Sequence, residues 1–261
     1  MGGRWAVQTD LNGKTAFVTG AAKRIGRAIC LALAGKGANI VFNYRRSAAE
    51  AESTKTDLES LGIRALALQG DLTDLEACDR MVAKASETFG SVDILVNNAS
   101  DFPRTPIEEL AADRAHFEKL FAAQVDIHMR APLYLGIQLG LRMKANGWGR
   151  IVNITDRVTV RSQAYSNWIL YLVTKYGLFG VSQTLAEELR PEVTVNSIAP
   201  GLVVPPPEFD PEAVERLREK IPLKRQVEPE EIAADVLHFV LSDAKTGAVL
   251  LTDGGAGTHT Y

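Results

Sequence analysis

Cysteine is scarce in this sequence, which has only two among its 261 residues, Cys30 and Cys78. Both fall in apolar stretches with helical spacing, and they form no CxxC pair. A disulfide scaffold and a thiolate metal site are therefore excluded, and we expect no bound metal. This cysteine usage fits a reducing compartment, so we expect the protein to work in the cytoplasm.

Long apolar runs and an excess of basic residues are also missing. No window approaches the about 18 apolar residues that cross a bilayer, and the first ten residues lack the apolar core of a signal peptide. The 29 Lys and Arg residues stand against 32 Asp and Glu, so a net charge of −3 provides no field to hold a nucleic acid or an anionic membrane. The expected partners are small molecules and other copies of the chain.

Short apolar runs bounded by Gly, Asn or Asp alternate with longer stretches at helical spacing. This alternation predicts an α/β fold: a single doubly wound Rossmann-type domain over residues 1–261, with a seven-stranded parallel sheet. The predicted strands are Thr15–Thr19, Asn39–Asn43, Ala65–Gln69, Ile94–Asn97, Ile151–Ile154, Thr194–Ile198 and Val249–Leu251. The predicted helices are Ile25–Ala34, Ala48–Leu61, Leu75–Phe89, Ala112–Asn146 with an irregularity at Pro132, Ile169–Leu189 and Glu230–Leu241. A proline-rich segment and the amphipathic stretch Pro211–Lys220 predict a small substrate flap at about 204–224.

Glycines follow the first predicted strand in the segment Thr19-Gly20-Ala21-Ala22-Lys23-Arg24-Ile25-Gly26, which opens directly into a helix. A glycine turn lets the chain reverse tightly, and the backbone N–H groups of the helix start face an anionic pyrophosphate. The segment predicts a dinucleotide site, with simple turn and packing glycines as the alternative.

The end of the second strand indicates which nucleotide binds. A site for NAD would carry Asp or Glu about 20 residues beyond the glycines, to bind the ribose hydroxyls. This chain instead has the segment Asn43-Tyr44-Arg45-Arg46-Ser47, which contains no acidic residue. We therefore expect NADPH, whose 2′-phosphate would accept charge-assisted hydrogen bonds from Arg24, Arg45, Arg46 and Ser47. A solvated basic corner is the alternative.

Polar residues also follow the third and fourth predicted strands. Asp71 either accepts a hydrogen bond from the adenine amino group or caps a turn. Asn97-Asn98-Ala99 ends at the carboxyl edge of the sheet, where ligands of such folds bind. These asparagines either contact the ligand or tie strands together.

Four motifs stand in register along the chain: TGxxxxxG from Thr19, NNA from Asn97, the pair Tyr171 and Lys175 on a helix, and NSIAPG from Asn196. With them the sequence resembles the short-chain dehydrogenase/reductases from about residue 12 to 257. Within that superfamily it is most similar to the pteridine reductases, because Arg24 replaces a usual glycine, Asp156 replaces a usual serine, and NASDF follows strand four.

The resemblance implies which residues hold the cofactor. They are Gly20, Lys23, Arg24, Ile25, Asn43, Tyr44, Arg45, Arg46, Ser47, Asp71, Leu72, Asn98, Ala99, Ser100, Tyr171, Lys175, Pro200, Gly201 and Val203. The long helices Ala112–Asn146 and Ile169–Leu189 carry apolar residues on more than one face, and in the resembling family they form the dimer contact. We therefore expect a homo-oligomer, a tetramer.

Tyr171 and Lys175 are four residues apart on a helix, so their side chains share one face. A neighbouring ammonium lowers the pKa of a phenol and makes it useful as a general acid. Asp156 disfavours a ketone substrate, because an ionised carboxylate opposes the oxyanion that forms when a ketone is reduced. Reduction of a pterin C=N bond instead needs a proton at nitrogen, and an Asp beside a Tyr can relay one. The predicted catalytic residues are therefore Asp156, Tyr171 and Lys175.

The substrate site is expected to include Ser100, Phe102, Asp156, Tyr171 and Leu202. In the resembling pteridine reductases an aromatic residue at the position of Phe102 stacks on the bicyclic ring. His128 replaces an asparagine of the superfamily, and it either holds the same water or is a core histidine.

Three functional hypotheses follow from these residues. The first is an NADPH-dependent reductase of a pteridine or dihydrofolate-like substrate. The second is a reductase of 3-oxoacyl thioesters or of another carbonyl, which a serine at position 156 would suit better. The third is a non-catalytic NADP(H)-binding sensor, against which the intact pair of Tyr171 and Lys175 argues.

Overall fold

The computed structural model describes residues 9–161, 164–205 and 209–256. Its strands are β1 Thr15–Val18, β2 Asn39–Tyr44, β3 Ala65–Gln69, β4 Ile94–Asn97, β5 Gly149–Ile154, β6 Val193–Pro200 and β7 Val249–Thr252. Its α-helices are α1 Arg24–Ala34, α2 Ala48–Ser60, α3 Leu75–Phe89, α4 Ile107–Ala112, α5 Arg114–Val125, α6 Ala131–Ala145, α7 Val158–Arg161, α8 Ile169–Glu188, α9 Pro211–Lys220 and α10 Pro229–Val240. The predicted seven-stranded α/β fold is confirmed.

All seven strands pair in parallel in the order β3-β2-β1-β4-β5-β6-β7. The chain order reverses between β1 and β4, and a sheet of this kind opens a crevice at that point, outside the carboxyl ends of its strands. Thr19, Asn98 and Thr155 each follow a strand directly at this edge. The topology therefore collects the predicted site residues on one side of the molecule.

The sheet is covered on both faces, as the near-continuous apolar strands require. One hydrophobic core lies against α1 and α10, and includes Ile29, Phe42 and Val236. The other lies against α3, α6 and α8, and includes Phe17, Leu135 and Leu185. Gly136 and Gly140 bring α6 against α8, because a Cβ at either position would lie 2.5 Å from a leucine methyl group of the facing helix.

The single helix predicted over Ala112–Asn146 is wrong in detail. Asp113 has an extended backbone, and its carboxylate caps α5 by accepting from His116 N at 3.0 Å. A π-helical turn, Asp126–Arg130, then joins α5 to α6. The ring of Pro132 would clash with the carbonyl four residues earlier, at His128, so the preceding turn widens to accommodate it. The irregularity thus lies just before the predicted proline.

The remaining differences are small. The short helices α4 and α7 were not predicted, and β6 runs to Pro200, two residues beyond its predicted end. The amphipathic stretch of the predicted flap forms helix α9, capped by Asp210, whose carboxylate accepts from Glu212 N at 3.1 Å. Val214 and Ile221 are buried, so this helix packs on the rest of the fold. Among the described residues, no helix is both long enough and apolar enough to cross a bilayer.

Candidate active site

The glycine loop after β1 is built for close backbone approach. Gly20 has φ +63°, and a Cβ there would lie 2.8 Å from Ala99 Cα. At Gly26, a Cβ would lie 2.6 Å from Ala21 Cα. No side chain caps the start of α1 and no acidic residue lies in its first turn, so its free N–H groups suit an anion.

Asn98 and Asn43 hold this loop in place, and a third asparagine, Asn97, links the ends of two strands. The Asn98 side chain donates to the carbonyl oxygens of Thr19 and Gly20, at 2.9 and 3.1 Å. Asn43 is buried, its Nδ2 donates to Gly70 O at 2.9 Å, and its Oδ1 accepts from Gly20 N at 3.4 Å. Asn97 donates to Asn153 Oδ1 at 2.7 Å. The side chains of these predicted residues tie strand ends together and thereby position the loop.

A cavity of about 280 Å³ lies beside the loop, at the ends of β2 and β3. It is lined by eleven predicted cofactor residues: Gly20, Lys23, Asn43, Tyr44, Arg45, Arg46, Ser47, Asp71, Leu72, Ala99 and Ser100. It is also lined by four residues that were not predicted: Ala22, Gly70, Asp101 and Ile127. Ala22, Gly70 and Asp101 sit beside predicted cofactor residues in the chain, whereas Ile127 comes from the π-helical turn, where no cofactor contact was predicted.

The local sequence suggested that the basic side chains of the cavity have no acidic neighbours. In the structure two of them do have acidic partners. Arg45 Nη1 lies 3.7 Å from Asp71 Oδ2, and Lys23 pairs with Glu50 at 3.2 Å. The other oxygen of Asp71 accepts from the backbone and side chain of Thr73, at 3.0 and 2.8 Å, so this residue does cap a turn. Burial raises the pKa of Asp71, but the hydrogen bonds from Thr73 and the charge of Arg45 outweigh it and leave the pKa lowered.

Arg24 is placed differently from the other predicted arginines. Its backbone has φ +58°, its guanidinium donates to the carbonyl of Val204 in the flap, and it does not line the cavity. Its contact with the 2′-phosphate, together with Arg45 and Arg46, stays a prediction. Ile25, which follows it, packs against the core.

The predicted catalytic residues meet where β5 ends and α8 begins. The Tyr171 hydroxyl donates to Asp156 Oδ2 at 3.1 Å, and Lys175 Nζ donates to the Ile154 carbonyl at 2.8 Å. The other oxygen of Asp156 accepts from Val158 N at 3.0 Å, which holds the carboxylate at the start of α7. Tyr171 and Lys175 are only 8% and 2% exposed, so the centre is almost closed to solvent.

Burial dominates the ionisation of this centre. Desolvation raises the pKa of Asp156, against the hydrogen bond from Val158 and the charge of Lys175. It lowers the pKa of Lys175 to about 8, although the Asp156 charge acts in the opposite direction. Burial and the adjacent carboxylate raise the pKa of Tyr171 well above its ordinary value, so its phenol is protonated at neutral pH. The lowering of this pKa that the neighbouring ammonium predicted is therefore wrong.

His128 is a buried histidine with defined hydrogen bonds. Its Nδ1 lies 2.9 Å from Thr174 Oγ1, and its Nε2 lies 2.8 Å from Ser100 Oγ. Thr174 donates its own hydrogen to the carbonyls of Leu170 and Tyr171, so it accepts from Nδ1, and Nε2 accepts from Ser100. Burial and then the charge of Lys175 lower the pKa of His128 well below its ordinary value, which keeps it neutral.

An aromatic cluster covers the reaction centre and consists of Phe102, Tyr165, Trp168, Tyr171 and Phe209. The ring of Phe102 meets the Tyr171 ring edge-on at 4.5 Å and stacks on the Trp168 ring at 5.2 Å. Phe209 closes the cluster, at 6.2 Å from Phe102 and 5.8 Å from Trp168. Phe102 thus lies beside Tyr171, and its stacking on a substrate ring stays a prediction. Tyr165 and Phe209 were not assigned, because isolated aromatics in loops carry no periodic signal.

The segment after β6 borders the flap. Gly201 N donates to Thr252 O at 2.9 Å, and a Cβ at Gly201 would lie 2.7 Å from Asp253 Cα. The Pro200 carbonyl accepts from Arg157 N at 3.0 Å, and the Leu202 carbonyl accepts from Val227 N at 2.9 Å. Val203 is buried in the core, so a contact from this residue to a cofactor would involve its backbone.

The comparisons with known proteins agree with this arrangement. Residues 14–210 match the short chain dehydrogenase family. The chain belongs to the short-chain dehydrogenase/reductases, as its motifs predicted.

Individual relatives align along nearly the whole chain. The L-rhamnose 1-dehydrogenase (NAD(P)(+)) of Sphingomonas sp. is 34% identical, over 94% of this chain and 96% of its own. The 3-oxoacyl-(acyl-carrier-protein) reductase FabG of Staphylococcus epidermidis is 30% identical, over 93% and 98%. Among solved structures, FolM alternative dihydrofolate reductase 1 from Brucella canis, complexed with NADP, matches with a TM-score of 0.87 and 31% identity, over 96% of each chain.

Proposed function

We propose that this protein is an NADPH-dependent reductase of a pteridine or dihydrofolate-like substrate. The observation that carries the proposal is the buried carboxyl of Asp156, hydrogen-bonded to the Tyr171 hydroxyl at 3.1 Å. A proton-handling carboxyl suits a C=N bond, whose nitrogen must take a proton as the adjacent carbon accepts hydride, whereas its negative charge opposes the oxyanion of a ketone. The similarity to the FolM alternative dihydrofolate reductase 1 from Brucella canis supports the same substrate class.

The residues of the nucleotide site fit NADPH. A Cβ at Gly20 or Gly26 would fill the hollow of the loop, so backbone N–H groups are free to approach a pyrophosphate. Arg46 lines the cavity, is exposed, and has no ion-pair partner in the described part of the chain. We assign it the 2′-phosphate together with Arg45, whose pairing with the half-buried Asp71 at 3.7 Å is weak. Ser47 and Lys23 complete this end of the site.

Each catalytic residue has a separate task in this proposal. Bound NADPH would supply a hydride to a carbon of the substrate. Tyr171 donates its proton to the adjacent nitrogen, and Asp156 restores that proton through the shared hydrogen bond. Lys175 is held by the Ile154 carbonyl, and its ammonium stabilises the transient phenolate.

The aromatic cluster explains how a flat heterocycle would be held. The face of the Phe102 ring contacts Trp168. The edge-on contact with Tyr171 places the Phe102 ring directly beside the proton donor. A bicyclic ring inserted against Phe102 would gain an aromatic contact worth about 1 kcal/mol beyond its buried area. Ser100 offers lone pairs to a donor group of the ligand, because its hydrogen is directed at His128.

A second candidate is reduction of a 3-oxoacyl thioester or another carbonyl. It is favoured by the similarity to the Staphylococcus 3-oxoacyl reductase and to the Sphingomonas sugar dehydrogenase. A third candidate, a non-catalytic NADP(H) sensor, is opposed by the intact contacts of Tyr171 and Lys175.

The deciding experiment measures NADPH oxidation with dihydrobiopterin, dihydrofolate and an acetoacetyl thioester side by side. We expect turnover with the first or second and little with the third. Turnover of the thioester alone would replace the proposed substrate class, and NADPH binding without any turnover would favour the sensor.

We propose further that the protein is a cytoplasmic homotetramer. Apolar side chains lie exposed on three long helices: Phe117 and Phe121 on α5, Leu133, Ile137 and Leu141 on α6, and Val173 and Tyr176 on α8. Exposed apolar faces of this extent are typical of contact surfaces. Membership of the family favours a second copy of the chain as the partner that covers these faces.

The buried free thiols of Cys30 and Cys78 are compatible with a reducing compartment.

A further inference from the structure

Two phenols converge on one carboxylate oxygen in this site. Asp156 Oδ2 accepts from Tyr171 at 3.1 Å and from Tyr165 at 3.1 Å. Tyr171 is buried on helix α8, whereas Tyr165 lies in the preceding loop and is only partly buried. The three groups therefore form a continuous hydrogen-bonded row from the interior toward the surface.

Other routes to the Tyr171 hydroxyl are poorer. Within the described part of the chain, Asp156 is its only hydrogen-bond partner. Lys175 is 2% exposed, and its ammonium donates to the Ile154 carbonyl. His128 is fully buried, and both of its ring nitrogens are hydrogen-bonded, to Ser100 and Thr174. Once a substrate covers Tyr171, the route that the described residues offer to the replacement proton runs through Asp156.

We infer that Tyr165 is a positioning residue that supplies this replacement proton from solvent to Asp156, and through Asp156 to Tyr171. The inference rests on the proposed function, because it names the proton path of that same site. Tyr165 also packs within the aromatic cluster, with its ring 5.9 Å from that of Trp168, so its hydroxyl is held in place.

The proton balance of the step is simple. The O–H bond of Tyr171 breaks as an N–H bond forms on the substrate, which leaves a phenolate. Asp156 accepts the proton of Tyr165 at Oδ2 and passes a proton to that phenolate, and the Tyr165 hydroxyl is restored by a proton from solvent water. One proton is taken from solvent in each turnover. No electrons move in these transfers, because the two electrons of the reduction arrive with the hydride of NADPH.

The charged and polar groups around Asp156 determine its pKa. Lys175 faces it from α8, and the guanidinium of Arg157 lies 5.7 Å from the ring of Tyr165. His128 borders Tyr171 from the π-helical turn and stays neutral. Because Tyr165 donates to the ionised form of Asp156, its hydroxyl favours that form. Removing the hydroxyl should therefore raise the pKa of Asp156.

The test compares Tyr165→Phe with Tyr176→Phe as a matched control. The Tyr176 hydroxyl donates a hydrogen bond to the Val158 carbonyl at 2.8 Å. It therefore contacts α7, the helix that follows Asp156, without a hydrogen bond to Asp156 itself. The first measurement is an infrared titration of the protonated Asp156 carboxyl in the cofactor-free protein, with the band assigned by its loss in Asp156→Asn. The second is kcat and its solvent deuterium isotope effect, with dihydrobiopterin and with the acetoacetyl thioester.

We expect Tyr165→Phe to raise the apparent pKa of Asp156 and to lower kcat about tenfold, less than the about 10²–10⁴ lost with a group that protonates substrate directly. Its solvent isotope effect should increase, while the KM for NADPH and for substrate stays unchanged. Tyr176→Phe should match the wild type in every readout. Equal behaviour of the two variants, in the titration and in kcat, would overturn the inference. If the wild type reduces only the thioester, the proposed substrate fails, and the same two variants compared on the thioester still decide the role of Tyr165.

Discussion

Replacing Asp156 by serine separates the two enzymatic candidates with little expected damage to the fold. The carboxylate caps the short helix α7 by accepting from Val158 N, and serine is an equally good acceptor at such a position. What the change removes is the negative charge and the proton that Asp156 shares with Tyr171 and Tyr165. Asp156→Asn is the control, because it keeps the shape and removes both the charge and the proton.

The size of the effect follows from the geometry. A substrate oxygen that accepts from Tyr171 at about 2.8 Å would lie roughly 4.5 Å from Asp156 Oδ2, given the hydrogen bond of 3.1 Å on the other side of the phenol. Two like charges at that separation repel by about 4 kcal/mol at an effective dielectric constant of about 20. For a ketone this corresponds to a rate loss on the order of 10³, which the serine variant would recover.

The opposite result is expected for a pterin. Serine lacks a carboxyl whose pKa is low enough for it to take up and release a proton during turnover, so kcat should fall by about 10²–10⁴, with little change in NADPH affinity. The assay is NADPH oxidation by both proteins with dihydrobiopterin and with an acetoacetyl thioester. A variant that gains on the thioester, when the wild type has no pterin activity, would refute the substrate assignment. A variant unchanged with every substrate would show that Asp156 serves only to cap α7.

Three further predictions test the rest of the site. Tyr171→Phe should abolish turnover and leave NADPH binding nearly intact, whereas Lys175→Ala should impair both; retained activity in Tyr171→Phe would identify Asp156 as the proton donor. The wild type should bind NADPH at least about tenfold more tightly than NADH, a difference of about 1.4 kcal/mol that fluorescence titration resolves, and Arg46→Ala should reduce it; equal affinities for the two cofactors would contradict the assignment. Light scattering at micromolar concentration should give a multiple of 28.4 kDa, and a monomer mass would contradict the proposed assembly.

The sequence predicted the sheet well because its signals are local. Each parallel strand is buried on both faces, so it appears as a short apolar run, and the ends of most strands were placed within two residues. The region around His128 was harder. Pro132 predicts an irregularity in the helix, but a π-helical turn depends on a backbone clash with the carbonyl one turn earlier, which apolar spacing does not report.

At the site, the motifs predicted which residues meet but not how they pair. Tyr171, Lys175 and Asp156 come together as their motifs indicated. The pairing of Arg45 with Asp71 joins residues from the ends of different strands, so no local pattern contained it. Arg24 illustrates the same limit, because its contact with Val204 crosses from the glycine loop to the flap.

The buried charges of Lys175 and Asp156 also depend on one another, which gives the serine variant a second consequence. Desolvation lowers the pKa of Lys175 to about 8, and the Asp156 charge is what limits that fall. The ammonium exists below its pKa, so activity that needs it is present at neutral pH and is lost as pH rises through about 8. In Asp156→Ser this loss should begin at lower pH, because the compensating charge is gone. Profiles of kcat against pH for the wild type and the variant measure the shift on whichever substrate each reduces. An unmoved alkaline limb would show that another group sets it and that the two charges are not coupled.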